Sequence, residues 1–203
     1  MKRSDGIEAE RKIVLAALEL FVRNGYHGTS ITDIMNKVGM TKGSLYAHFK
    51  SKGELLLRIL EVYKTRYIDE MIRFANNGEG NALDKLHRCI TFSAQFASEH
   101  PNLCVFLTFL TTELSADVDF EPMLKAAYRE QERFISGIIR QGINQGLVDK
   151  KTDPDLAALT FMALHDGVLH QWVLNRNIID AKEYVKTFRK AFMYGLASDK
   201  GRT

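Results

Sequence analysis

The sequence predicts an all-α protein. Apolar residues recur at three- and four-residue steps along most of the 203 residues, no useful length alternates with period two, and there are only 3 prolines. With 45% hydrophobic and 26% charged residues, the balance is an ordinary globular one with material for a sizeable core.

Each helix has its own signals. Ile13, Val14, Ala17, Leu18 and Phe21 share a face over residues 7–24, and Gly25 is the left-handed stop. Ser30 and Asp33 start a short second helix whose buried face is Ile31, Ile34, Met35 and Val38, ended by Gly39. Thr41 can cap an equally short third helix reaching Phe49, burying Leu45 and Phe49. Ser51–Glu54 is a capping box opening a long fourth helix, carried by Leu55, Leu56, Ile59, Leu60, Tyr63, Tyr67, Met71 and Phe74 to the loop at 76–81. Asn81 caps a fifth helix ending near His100, Pro101 opens a sixth through about Leu114, and Glu121-Pro122 opens a long seventh ending at Gly146. Asp153-Pro154 starts an eighth, to about Leu174. A ninth, over about 181–197, carries Tyr184, Val185, Phe188, Phe192 and Leu196 on one stripe.

Charge divides the chain. Residues 1–52 hold nine Lys or Arg against five Asp or Glu, the remainder nineteen against twenty. The basic excess therefore marks the first quarter as the part suited to a polyanion, although a solvated basic face has the same composition. Two domains are expected, 1–52 and 53–203. Cys89 and Cys104 sit in apolar helical patterns with no CxxC and no Cys/His cluster, so buried reduced thiols are expected, with no disulfide and no metal. No secretory h-region and no ~20-residue apolar run is present, so a soluble, cytoplasmic protein without a membrane span is expected. No nucleophile–base pair, paired carboxylates or phosphate-cradling glycine loop occurs at useful spacing, so neither enzyme activity nor a cofactor is expected.

Residues 29–56, "TSITDIMNKVGMTKGSLYAHFKSKGELL", place two short helices around a glycine turn. That is the layout of a helix-turn-helix, whose second helix puts its N-terminal residues against base edges in the major groove. Here those residues are Thr41, Lys42, Gly43 and Ser44. Hydroxyls and an ammonium can bond base edges, and glycine permits close backbone approach. Tyr46, His48, Lys50 and Lys52 offer donors for phosphate oxygens. Ser30, Thr41 and Ser51 also have capping roles that need no DNA.

The segments "ALELFVRNGYHGTS" and "DIMNKVGMTKGSLYAHFKSKGELL" resemble the DNA-binding head of the tetracycline-repressor (TetR) family. The resemblance is close over the first quarter and is one of layout beyond it. Met35, Asn36 and Gly53 depart mildly from the family pattern. The resemblance implies that Thr41, Lys42, Gly43, Ser44 and Ala47 face the groove. It places Thr29, Ser30, Tyr46, His48 and Lys52 against phosphates, and Leu45 and Phe49 in the core. It implies a homodimer on a near-palindromic double-stranded DNA operator, usually a repressor released by a small molecule; an activator or an adaptor with a protein partner could share these residues.

In similar proteins the eighth and ninth helices form a four-helix bundle across a two-fold axis, which makes Phe161, Leu164, Gly167, Val168, Phe188 and Phe192 candidates for the dimer seam; ordinary core is the competing reading. The effector pocket of similar proteins lies among the fifth to eighth helices. There the chain offers Phe92, Phe96, Phe106, Phe109, Thr112, Tyr128, Phe134, His165, Asp166, His170 and Trp172, for an apolar or aromatic, amphipathic effector. Asp166 and His170, four apart on one face, could be a bonded pair, ligand contacts or two metal ligands, too few for a metal site.

Overall fold

A computed structural model describes residues 3–113, 120–175 and 180–196. Those residues form nine helices and no β-strand, counting as one the long helix that a π-helical turn interrupts. They are α1 (Arg3–Asn24), α2 (Ile31–Val38), α3 (Lys42–Tyr46), α4 (Lys52–Tyr63, then the π-helical Lys64–Asp69, then Glu70–Asn76), α5 (Ala82–Glu99), α6 (Pro101–Glu113), α7 (Glu121–Asn144), α8 (Pro154–Leu174) and α9 (Ala181–Leu196). The all-α expectation holds. The third helix is shorter than expected, since residues 47 and 48 form a turn that brings Phe49 into the core.

The chain packs as two compact units, Met1–Tyr63 with Asn102–Leu124, and Lys64–Pro101 with Lys125–Thr203. The first half of α4 and most of α6 thus pack with the N-terminal residues, so the compact units do not follow the division expected after residue 52.

In the first unit, Ile13, Ala17 and Phe21 of α1 meet Ile34, Leu45, Leu55, Leu56 and Ile59 in a core where each is at most 3% exposed. Of the expected α2 face only Ile34 is fully buried; Ile31, Met35 and Val38 are half-buried, because so short a helix can insert little more than one residue. Phe21 also stacks on Phe106 of α6, ring centroids 6.0 Å apart.

In the second unit, Leu86, Cys89 and Ile90 of α5, Ile135, Ile138 and Ile139 of α7, and Phe161 of α8 are buried. Both cysteines are buried and neither is in a disulfide, and burial pushes the Cys89 thiol up to about 12. Along α4 the buried residues Ile59, Tyr63, Tyr67, Met71 and Ala75 recur at steps of four. In an α-helix that step drifts about 40° per turn around the axis. The wider π turn at Lys64–Asp69 takes up part of the drift. Lys64 Nζ pairs there with Asp69 Oδ1 at 2.7 Å and Glu130 Oε2 at 3.2 Å.

Candidate nucleic-acid interface and effector cavity

The recognition segment is presented by short-range chemistry. Ser30 caps α2 in a capping box: its Oγ accepts from the Asp33 amide at 3.1 Å, and its own amide donates to Asp33 Oδ2 at 2.8 Å. These bonds, led by the Ser30 hydroxyl, hold the Asp33 carboxyl below the usual carboxylate range. Gly39 ends α2 at φ 68°, a left-handed residue that a β-carbon would strain, and turns the chain into Thr41. Thr41 Oγ1 accepts from the Ser44 amide at 3.3 Å, and Leu45 and Phe49 anchor α3 beneath.

With that seating, Thr41, Lys42, Gly43, Ser44 and Ala47 are all exposed. A β-carbon at Gly43 would meet nothing within 4 Å, so that stretch of backbone is open to an approaching surface. Tyr46 is 41% exposed, and Lys42 Nζ lies 5.8 Å from its ring centroid, on the same face. His48 is half-buried and Lys50 exposed. The Lys50 amide donates to Glu54 Oε2 at 2.6 Å while Ser51 Oγ accepts from the Glu54 amide at 3.1 Å. The capping box expected at Ser51 thus reaches one residue further back.

One expected phosphate contact is corrected, and a second residue is engaged inside the fold. Thr29 is buried, and its hydroxyl lies 2.9 Å from the Gly25 carbonyl and 3.1 Å from that of Leu20. Its side chain closes the α1–α2 turn and turns away from solvent. Lys52 Nζ donates to the carbonyls of Tyr26 at 2.7 Å and Thr29 at 3.0 Å, 4.2 Å from the Tyr26 ring centroid. The ammonium stabilises that same turn, where unpaired carbonyls would otherwise accumulate.

In the second unit a cavity of about 80 Å³ is lined by Ile90, Ser93, Ala94, Ala97 and Ser98 of α5, His165, Val168, Leu169 and Trp172 of α8, and Tyr184 of α9. Tyr67 OH lies 2.9 Å from Ser93 Oγ and 3.3 Å from His165 Nε2. Phe96 and Phe92 pack on the Tyr67 ring, centroids 5.0 Å and 6.1 Å away. On α7, burial first and then the nearby Asp166 carboxylate of α8 raise the Tyr128 phenol above the ordinary range.

Residues 13–59 match the model for bacterial regulatory proteins of the tetR family, and residues 82–193 match the C-terminal model of BetI-type transcriptional repressors. The chain belongs to the TetR family. The MbdR regulator from Azoarcus sp. CIB is 30% identical, with TM-score 0.81 over 93% of this chain and 98% of that one. The fatty acid metabolism regulator protein of Bacillus subtilis is 24% identical over 164 residues, 81% of this chain and 83% of the relative. The fold is also that of FadR from Bacillus subtilis solved with stearoyl-CoA, with 21% identity and TM-score 0.78 over 92% and 98% of the two chains. This TetR-family chain is a DNA-binding transcriptional regulator, and no helix among its described residues is long and apolar enough to cross a membrane.

Of the residues expected to form this regulator's pocket, His165 and Trp172 line the cavity. Phe92 and Phe96 stand behind it through Tyr67. Phe106 is corrected to first-unit core against Phe21. Phe134 is half-buried, and His170 is exposed with Asp166. The side chains of Phe109 and Thr112 lie outside the described residues. Three expected seam residues are corrected as well. Phe161 packs edge-on against Phe188 and Phe192, centroids 5.6 Å and 5.3 Å away, and all three are buried inside the chain. Val168 turns to the cavity, while Leu164 and Gly167 stay exposed. Ser93 and Tyr184 at the cavity, and Tyr67 bonded behind it, lie outside the sequence expectation; the four-residue repeat around Tyr67 was the available signal for one of them.

Proposed function

We propose that the chain is a homodimeric repressor that reads a near-palindromic operator through α3 and leaves it when a small apolar or amphipathic effector binds the second unit. The observation that carries this reading is the exposed Thr41–Ser44 segment, capped by Thr41 and anchored by Leu45 and Phe49 so that it faces away from the core. Base contacts fall to Thr41, Lys42, Gly43, Ser44 and Ala47. Phosphate contacts fall to Tyr46, His48 and Lys50, with Ser30 at the start of α2.

A second copy has a surface to occupy. Leu156 and Leu174 of α8 are 63% and 65% exposed, and Leu159, Leu164 and Gly167 are exposed with them, as is Tyr194 of α9. These residues replace the buried phenylalanines as the proposed seam. Support for an effector comes from the cavity and from the related FadR seen with stearoyl-CoA. Effector binding would alter the spacing of the two heads, which must match major-groove faces ~34–36 Å apart. The coupling is reciprocal, so operator must weaken effector binding by the same factor.

The test is capture of fragments of the source genome by the purified protein, followed by transcription in vitro from the recovered promoter. Enrichment of a near-palindrome within a promoter, with transcription falling as protein is added, is the expected result. A rise in transcription would establish the activator reading instead, and no enrichment would favour an adaptor.

A further inference from the structure

We propose that the π turn at Lys64–Asp69 is a movable surplus residue in α4, pinned by the Lys64 ammonium, and that its position is the switch between operator binding and effector binding. The proposal rests on the regulator reading above and names the part of the chain that carries its response.

The surplus is visible in the spacing of α4. The buried residues Ile59, Tyr63, Tyr67, Met71 and Ala75 lie four apart throughout. An α-helix keeps one face buried with a mixture of three- and four-residue steps. Without one of the exposed residues Thr65 and Arg66, the steps become four, three, four and four, a face that an unbroken α-helix can bury. The π turn absorbs the extra residue. A helix can carry such a residue one turn earlier or later, and only the residues it passes change face, by about 100° each. Moved toward the N-terminus, it passes Tyr63 and Leu60, both buried and both in the unit that carries α3.

Two sets of contacts pin the surplus where it is. Lys64 Nζ lies 2.7 Å from Asp69 Oδ1, five residues on. In an α-helix residues five apart point about 140° away from each other and cannot pair. The i→i+5 bonding of a π turn stacks them, so this ion pair exists only while the surplus sits here. Glu130 Oε2 of α7 adds a second carboxylate at 3.2 Å. All three side chains are between 35% and 40% exposed, and pairs of that kind are weak, so they bias the turn without locking it. The second set is made by Tyr67, whose hydroxyl lies 2.9 Å from Ser93 Oγ and 3.3 Å from His165 Nε2. Ser93 and His165 also line the cavity. A polar ligand group that reaches either one competes with Tyr67 for it and loosens the turn. Effector therefore favours release of the surplus, and by reciprocity operator favours the pinned form.

The test reads hydrogen exchange and operator affinity, with the operator taken from binding-site selection. In the wild-type protein, operator should slow amide exchange across residues 60–76 about threefold or more. Deleting Thr65 removes the surplus and keeps the flanking faces. That variant should bind operator within about threefold of wild type and show no operator-dependent change across the same residues. Lys64→Met keeps the aliphatic stem and should weaken operator binding about three- to tenfold, the worth of two partly exposed ion pairs, with base preference and salt slope unchanged. Equal exchange with and without operator in wild type, the same slowing in the Thr65 deletion, or wild-type affinity in Lys64→Met would each overturn the inference. So would a salt slope smaller by about one in Lys64→Met, the mark of a phosphate contact. Should the deletion unfold, wild-type exchange and Lys64→Met decide alone. Selection that enriches no sequence removes the regulator reading and this inference with it; the other failures remove the inference and leave that reading standing.

Discussion

Replacing Lys52 with Met keeps the aliphatic stem and removes the ammonium, and with it two carbonyl contacts at 2.7 Å and 3.0 Å and the approach to the Tyr26 ring. Hydrogen bonds that involve a charged group contribute about 1.5–3 kcal/mol each, and a cation over a partly exposed ring about 0.5–1 kcal/mol. Lys52 is half-buried, so water can replace part of what is lost, and a net destabilisation of about 2 kcal/mol follows. For a chain of this size that lowers the melting temperature by about 4–8 °C. Urea unfolding followed by far-ultraviolet circular dichroism gives the free energy directly, with an unchanged slope expected. At a temperature where the variant is fully folded, its DNA affinity should keep the wild-type salt dependence. Unchanged stability together with a salt slope smaller by about one would refute this: Lys52 would then be gripping a phosphate, and the internal bonds would contribute nothing.

Other outcomes follow from the same geometry. Gly43→Ala should raise helix stability by up to about 1 kcal/mol, because its β-carbon meets open space, yet abolish operator binding by blocking close approach, which melting and mobility-shift assays report together. Lys42→Ala should alter base preference in a binding-site selection, whereas Lys50→Ala should weaken all sequences alike and reduce the salt slope by about one. Leu159→Glu with Leu164→Glu should yield monomers in sedimentation without unfolding, since both side chains are exposed in the single chain. Asp33 and Asp155 have depressed carboxyl pKa values, from bonds led by Ser30 and Ser136 respectively. Depressed acids contribute stability above their unfolded pKa of about 3.9, and it is lost as pH falls through the lower folded values. Urea midpoints should therefore drop on the acid side of about pH 4, and Asp33→Asn should shrink that drop.

The caps made the helices legible in the sequence. Ser30, Gly39, Thr41, Asn81 and Asp153 act within a few residues, so their roles survive without knowledge of tertiary packing. The exposure of Thr41–Ser44 follows for the same reason: α3 has only Leu45 to insert, with Phe49 beyond it, and the rest must face out. Lys52 was not legible, because its partners are backbone carbonyls 23 and 26 residues earlier, and any chain position offers a carbonyl. The inward stripe of α8 was not legible for another reason. Helix α8 is apolar nearly all round, so its periodicity cannot say which stripe packs inward; Phe161 went to the α9 rings and Leu156, Leu159 and Leu164 stayed outside. The Ser93–Tyr67–His165 chain joins three helices across up to 98 residues, a juxtaposition no local pattern encodes.

Selection of random duplex DNA by the purified protein, with Tyr46→Ala beside it, asks whether α3 reads sequence. The expected result is enrichment of one near-palindrome with half-sites about one helical turn apart, lost or greatly weakened in the variant. Clean dimer that enriches no sequence, or a Tyr46→Ala protein that enriches the same site as strongly, would contradict reading through α3.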